Sequence, residues 1–369
     1  MNTHAEINLA AIKHNIAAIK ELLKPGPSTS LGVKFMAVVK ANAYGHGAAA
    51  VARSAVEAGA DYLGVANLKE ALELREAGIL APLLILTESP TSVADEIVQH
   101  GLTQTIYSFA EAKALSDEAQ KRGRPVKIHV KIDTGMGRVG VLPSEAIAFI
   151  TKVSSLPGLT IEGLFTHFAK AEDPEDHFTA DQFARFQAIA ARLPQIPLKH
   201  TANSAAALFH QDTHLDLVRV GLMMYGLYPQ GNSRRLIDLK PALAFKTRVT
   251  YLKKVPAGTP LSYGSTFVTP AETTIATIPV GYADGYSRRL SNKGSVLIRG
   301  KRYPVVGRVS MDLTLINVGS GKVEMGDEVV LIGEQSGQGI SADEIAALED
   351  TISYEVVCSI GKRVPRVYK

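Results

Sequence analysis

The sequence predicts an α/β chain: an eight-stranded β/α barrel followed by a mostly antiparallel β-strand domain. Three observations carry this. Short apolar runs alternate with amphipathic helical stretches through the first two-thirds of the 369 residues. These runs are apolar almost throughout, as parallel strands covered on both faces must be. Beyond residue 240 the runs become short, β-branched and punctuated by glycine, with no long helical pattern before Ser341–Leu348.

Taken in order, the eight runs are Val33–Val39, Asp61–Ala66, Leu83–Leu86, Thr103–Tyr107, Val126–Ile132, Leu159–Phe165, Leu198–Ala202 and Leu215–Val220. Helical stretches between them include His46–Ala58, Leu68–Ala77, Phe109–Lys121, Thr179–Arg192 and a short Ser204–Phe209. Eight such units in about 200 residues fit a closed barrel, with a doubly wound open sheet as the competing architecture. Pro229, Gly231, Asn232 and Ser233 read as a hinge. The expected division is a barrel over residues 1–240 and a β domain over 241–369. The strands expected in the latter are Thr247–Val255, Thr273–Pro279, Ser295–Arg299, Leu313–Val318 and Glu328–Ile332.

Composition narrows the function. Lys plus Arg is 40 against 36 for Asp plus Glu, a net charge of +4, too even to call for nucleic acid or an anionic membrane. The single cysteine, Cys358, excludes an internal disulfide and a cysteine-rich metal site. No apolar run approaches the roughly 18 residues of a membrane helix, and no signal region follows His4 and Glu6. A cytoplasmic protein is expected.

Chemistry in a β/α barrel collects at the carboxyl ends of its strands. There the sequence places Lys40 and Tyr44 after the first strand and Lys131, Asp133 and Arg138 at the fifth. Thr166 and His167 end the sixth, Asn203 and Ser204 the seventh, and Arg219 and Gly221 the eighth. No carboxylate pair converges, which argues against glycoside hydrolysis, and no ligand spacing suggests a metal. Lys40 closes an apolar strand, so its stem should be packed and its amine should face the rim, where it could act as nucleophile or base; a lysine solvating a strand end is the alternative. Ser204 and the backbone near Gly221 suit a phosphate, or form an ordinary helix cap. Arg219 lies among apolar neighbours and must be paired or face a ligand. Gly135, Gly137 and Gly140 have dinucleotide-loop spacing, but Pro143 delays the helix and a turn-rich loop is the better reading. His210 and His214 read as a surface pair, and the basic runs Arg299–Arg302 and Lys362–Arg366 as solvated faces.

Val38-Val39-Lys40-Ala41-Asn42-Ala43-Tyr44-Gly45-His46-Gly47 closely resembles the cofactor-lysine motif of the alanine racemases. The resemblance continues through residues 131–138 (KIDTGMGR), Thr166-His167-Phe168 and His200-Thr201-Ala202-Asn203-Ser204. In the second domain it is carried by Ser262-Tyr263-Gly264, residues 281–286 (GYADGY), Val309-Ser310-Met311-Asp312 and Tyr354-Glu355. It covers essentially the whole chain. Ser310 departs from it, standing where cysteine is more usual.

The resemblance implies a pyridoxal 5′-phosphate enzyme that interconverts L- and D-alanine and supplies D-alanine for peptidoglycan. It implies a homodimer with shared active sites, the β domain contributing to the partner's. Lys40 would carry the cofactor covalently. Tyr44, Ser204, Gly221, Leu222 and Tyr354 would hold its phosphate, with Asn203 and His167 also beside the cofactor. Arg219 would face the pyridine nitrogen. Arg138 and the Met311 backbone would take the substrate carboxylate, supported by Asp312, with Tyr282 and Tyr354 narrowing the pocket. Lys131 corresponds to a lysine that is often carboxylated; a plain ion pair is its alternative. Inversion needs two bases on opposite faces, Lys40 on one and Tyr263 of the partner subunit on the other. A broad-specificity amino-acid racemase is the nearest alternative function. A decarboxylase on the same barrel and a non-catalytic cofactor carrier are less consistent with Arg219 and with residues 243–369.

Overall fold

A computed structural model describes residues 2–23, 32–229 and 236–369. Three of the expected hinge residues, Gly231, Asn232 and Ser233, lie outside these. The chain forms two compact units, one comprising Ile12–Ala43 and Ala48–Lys240, the other the opening residues to Ala11, Tyr44–Gly47 and Pro241–Lys369.

The chain opens with β1 (His4–Ile7), a strand of the second unit. The first unit then runs through β2 (Lys34–Val38), β3 (Tyr62–Val65), β4 (Leu83–Ile85), β5 (Thr103–Ile106), β6 (Val126–Lys131), β7 (Leu159–Phe165), β8 (Leu198–His200) and β9 (Leu217–Val220). All eight pair in parallel, in the order β8-β7-β6-β5-β4-β3-β2-β9. The remaining seam is bridged by Asp216 N–H to Lys199 O and Arg219 N–H to Ala202 O, each at 3.0 Å. Strands succeeding one another around a ring, without the reversal of a doubly wound sheet, make a nearly closed barrel. Met36, Tyr62, Leu84, Leu198 and Leu217 pack into one interior layer. On the outside, Val130, Ile132 and Leu164 pack against Ile150 and Phe186 of the covering helices Ala146–Ser154 and Phe178–Ala190. These facing apolar sets are why the strand runs lack a polar alternation.

The second unit contains β10 (Leu243–Arg248), β11 (Tyr251–Val255), β12 (Pro260–Leu261), β13 (Phe267–Val268), β14 (Thr273–Ile278), β15 (Ser295–Ile298), β16 (Lys301–Pro304), β17 (Thr314–Gly319), β18 (Glu328–Gln335), β19 (Gln338–Ile340) and β20 (Arg366–Tyr368). The larger sheet runs β16-β15-β18-β10-β1-β20, with β19 on β18. A second runs β11-β14-β17, and β12 and β13 form a hairpin. Only the β1–β20 pairing is parallel among these.

Two details differ from expectation. The run Thr247–Val255 breaks at Val249 and Thr250, which donate to Asp327 O and Thr277 O in different sheets, so it gives two strands rather than one. The opening residues, assigned to the barrel by the division at 240, pair instead with β10 and β20. Ala5 and Ile7 are buried on one face of β1 while Glu6 meets Lys246 at 3.0 Å and Lys369 at 2.8 Å. Four alternating residues are too short a signal to read in advance.

Candidate active site

In the barrel unit, Arg219 is the most constrained of the expected residues. Its side chain is buried, and among the described residues no carboxylate pairs with it directly. Nη1 donates to His200 Nδ1 and His200 O, both at 3.0 Å. Nη2 faces Thr166 O at 2.8 Å, Thr201 O at 3.0 Å and His167 Nδ1 at 3.2 Å. The terminal N–H groups are thus engaged by neutral acceptors, while Nε–H has no partner among the described residues. Burial lowers the guanidinium to about 9, still a cation at neutral pH. Burial, followed by the charges of Arg219, Lys131, Arg138 and Lys40, holds His167 well below its usual range. It is therefore neutral. Since Nδ1 accepts from Arg219, its proton resides on Nε2.

Lys131 ends β6 and is buried, and the described residues give its amine no hydrogen bond. Burial lowers it to about 8, with Arg219, Arg138 and Lys40 acting in the same direction against Asp133. The loop that follows is turn-rich, as expected. Asp133 Oδ1 accepts from Gly135 and Gly137 N–H at 3.0 Å, and Arg138 is exposed on it. Asn203 caps the helix Ser204–Phe209 by accepting from Ala206 N–H at 2.9 Å. Ser204 Oγ accepts from Gly221 N–H at 3.0 Å, and Leu222 opens a buried 3-10 turn. The helix-cap reading of this loop is met by Asn203, and Gly221 N–H rests on Ser204 Oγ.

Lys40 differs from expectation: it is exposed rather than packed. The apolar run ends at Val39, and Lys40 opens a left-handed turn in which Ala41, Asn42 and Ala43 have φ/ψ of 52/50, 53/46 and 53/52 and Tyr44 has φ 52. Consecutive L-residues rarely hold this conformation, and strain of this kind gathers at functional sites. The turn is braced on several sides. Glu70 accepts from Ala41 N–H and Ala66 N–H, both at 2.7 Å. Asn42 Oδ1 accepts from Ala48 N–H at 2.9 Å, and Ala43 N–H donates to Val39 O at 2.8 Å.

The β unit holds the remaining expected residues in two places. Tyr44 lies against Tyr354, ring centroids 6.1 Å apart. Burial, then the neighbouring Tyr354, raises the Tyr44 phenol, so it remains a donor. Tyr263 is 72% exposed on a turn flanked by positive φ at Ser262, Gly264 and Ser265. Ser262 Oγ donates to Arg308 O at 2.6 Å, fixing that turn to the segment leading to Met311 and Asp312. Tyr282 N–H and Ala283 N–H donate to Ser310 O and Met311 O at 3.1 Å. A Cβ on Gly281 would collide with both carbonyls, so only glycine permits this approach. Arg363 joins Asp312 to Asp284, each at 2.7 Å.

Family models for the N-terminal and C-terminal domains of alanine racemase match residues 7–229 and 242–368. The chain is 48% identical over 372 residues to alanine racemase 2 of Caldanaerobacter subterraneus, covering 99% of this chain and 94% of that protein. The alanine racemase of Clostridium difficile superposes with a TM-score of 0.94 at 37% identity, covering 100% of this chain and 96% of that one. A Bartonella henselae alanine racemase with covalently bound pyridoxal phosphate gives 0.90 at 30% identity, covering all of both chains.

The chain belongs to the alanine racemase family.

Sequence reasoning on this alanine racemase family member missed Glu70 and Asn42. An Asn among alanines was the only trace of the left-handed turn, and Glu70 looked like any acid in a first helical turn. His214 is corrected: it is buried rather than part of a surface pair, because its ring tucks under the short helix and Nε2 contacts Ala207 O at 2.9 Å. The basic residues Arg299 and Arg302 are paired with Asp327, Glu324 and Glu344. Among the described residues no group of His, Cys, Asp and Glu could hold a metal, and no helix is long and apolar enough to cross a membrane.

Proposed function

We infer that this chain interconverts L-alanine and D-alanine with pyridoxal 5′-phosphate as cofactor, supplying D-alanine for peptidoglycan. The observation that carries this is Arg219: a buried cation, its terminal N–H groups taken by neutral acceptors, with Nε–H left over. That donor fits an unprotonated aromatic nitrogen, because arginine can only donate. The same unit brings Ser204, Gly221 and Leu222 together where a phosphate would be held, Gly221 N–H resting on Ser204 Oγ, and supplies an amine at Lys40. Tyr44, Tyr354 and Asn203 complete the proposed cofactor set, Tyr44 as a protonated phenol.

When bound, the cofactor draws electrons from the α-carbon of alanine and acidifies its proton. The rest is work for the chain's own side chains. Lys40 Nζ holds or returns the proton on one face, and Tyr263 Oη of the partner subunit does so on the other. Lys40 serves D-alanine and Tyr263 serves L-alanine. Tyrosine phenols in general ionise at about 10, so one that serves as a base needs a hydrogen-bond donor or positive charge nearby. Neutral His167 offers its Nε2–H for this, with Nδ1 anchored on Arg219. Arg138 and Met311 N–H bind the substrate carboxylate, Asp312 being held for this by Arg363. Lys131, part neutral among cations, is suited to carry a carboxyl group from carbon dioxide that would orient Arg138. Tyr282 and Tyr354 restrict the side chain to a methyl group. The exposure of Tyr263 on a strained turn supports its donation to a second chain, so the homodimer belongs to this reading. A cytoplasmic location belongs to it as well, consistent with a single cysteine, Cys358, which leaves no internal disulfide to form.

The test is polarimetry on L-alanine with purified protein and added pyridoxal phosphate, alongside a panel of other L-amino acids. Decay of rotation to zero for alanine, far faster than for the others, is expected. A protein that stays colourless and leaves the rotation unchanged would refute the assignment, and equal rates across the panel would replace it with a broad-specificity racemase.

A further inference from the structure

One set of buried titratable groups takes no part in these proton transfers. It runs through the barrel interior from Arg219 on β9, through His200 on β8 and His129 on β6, to Glu162 on β7. Arg219 Nη1 meets His200 Nδ1 at 3.0 Å, His200 Nε2 meets His129 Nδ1 at 2.8 Å, and His129 Nε2 meets Glu162 Oε2 at 3.3 Å. The two ends fix every proton between them. A guanidinium can only donate, so His200 Nδ1 is bare and its proton is on Nε2. That proton is donated to His129 Nδ1, so His129 also carries its proton on Nε2 and donates it to the carboxylate. Both imidazoles are neutral and both point their N–H away from Arg219.

The fold makes specific provision for this file. Gly163 on β7 has an ordinary backbone conformation, yet a Cβ there would lie 2.6–2.8 Å from three ring atoms of His129. Glycine is therefore required by the imidazole rather than by the chain. The β6–β7 register shifts between Ile128 and His129, the kind of irregularity that re-aims a side chain. Phe165 stacks on His200 with centroids 4.7 Å apart and planes 5° from parallel. Glu162 also receives Lys127 Nζ at 2.5 Å and a hydrogen bond from Tyr62. Burial alone would raise its carboxyl, but the His129, Lys127 and Tyr62 hydrogen bonds outweigh it and hold it at about 2. Burial keeps both histidines below their usual range.

We propose that Glu162 is the counter-ion of Arg219, acting through neutral His200 and His129, and is thereby a positioning residue for the face that Arg219 turns to the cofactor. A carboxylate in direct contact would take up guanidinium donors and weaken Nε–H. The two intervening imidazoles relay the carboxylate's pull along the hydrogen bonds and fix the fork while leaving Nε–H open to the cofactor. The proposal rests on the function inferred above and deepens it.

The test uses the full-length, cofactor-loaded protein. Nitrogen NMR with labelled histidine reads the two rings directly: each should show a protonated Nε2 and a bare Nδ1. A reversed tautomer or a doubly protonated ring on either residue would overturn the proposal even in a fully active racemase. Failure of the wild-type chain to racemise alanine would instead remove the function, whatever the rings show. Glu162→Gln and Gly163→Ala, the second disturbing the file without deleting a donor or acceptor, should both lower kcat about tenfold. KM for alanine should stay unchanged and the absorption maximum of the bound cofactor should shift. If either variant folds and keeps kcat and spectrum, the file is structural only and the proposal fails.

Discussion

Replacing Glu70 with alanine removes the oxygen that braces the turn carrying Lys40 and the one that ties Glu70 itself to Ala66. Those oxygens accept from Ala41 and Ala66 N–H at 2.7 Å. A hydrogen bond to a charged acceptor contributes roughly 1.5–3 kcal/mol. Ala41 is exposed, so water recovers part of its share, and a total loss of about 2 kcal/mol is the expected magnitude. Against this stands the left-handed backbone of Ala41, Asn42 and Ala43, at roughly 1–2 kcal/mol per residue, or about 3–6 kcal/mol together. The loss is comparable to the strain of one or two residues. Ala41, next to Lys40, should then relax towards the right-handed region while Asn42 and Ala43 keep their own braces. Denaturant titration should show stability lower by about 2 kcal/mol. The reaction of Lys40 with added pyridoxal phosphate, followed by absorbance, should slow, and kcat should fall at least about tenfold, since small displacements of a reacting group are costly. Glu70→Gln, which keeps one accepting oxygen, should lie between. Wild-type stability together with wild-type Lys40 reactivity in Glu70→Ala would refute the bracing argument.

Arg219→Glu should place a carboxyl beside the proposed position of the cofactor nitrogen, moving absorbance during turnover to longer wavelength and slowing racemisation; unchanged spectra and rates would count against the assigned role. For Lys131 the sign follows from its lowered value of about 8. Only the neutral amine reacts with carbon dioxide, so carboxylation should grow as pH rises towards and through 8. Activity should decline in carbon dioxide-free buffer and return with bicarbonate, most clearly near pH 8, and Lys131→Ala should lose that response. Inactive Lys40→Ala and Tyr263→Phe homodimers, mixed under exchange, should regain activity, because one site of the heterodimer keeps both bases. Proven exchange without recovery would sink the shared site.

The barrel strands were legible because each is an apolar run bounded by turn residues, and the observed ends fall within about two residues of the expected ones. The rim positions of Lys131, His167, Asn203 and Arg219 were legible for the same reason, since each lies at or just beyond the end of such a run. What escaped depends on neighbours in space. β1 is four residues long and gains its partners from β10 and β20 at the far end of the chain. The left-handed turn is built from alanine, asparagine and tyrosine, which do not announce a positive φ as glycine does. Lys40 was expected to be packed because it follows Val39, yet the turn begins one residue too early for that. His129, His200 and Glu162 lie in three different strands, and only the β6–β7–β8 register brings them into one file.

The most direct measurement is borohydride reduction of the protein loaded with pyridoxal phosphate, followed by peptide mapping. A single label on the Lys40 peptide, with loss of the racemase activity present before reduction, is the expected result. Label on Lys131 instead, or none at Lys40 in a protein that still racemises alanine, would contradict the role given to the amine at the end of the first barrel strand.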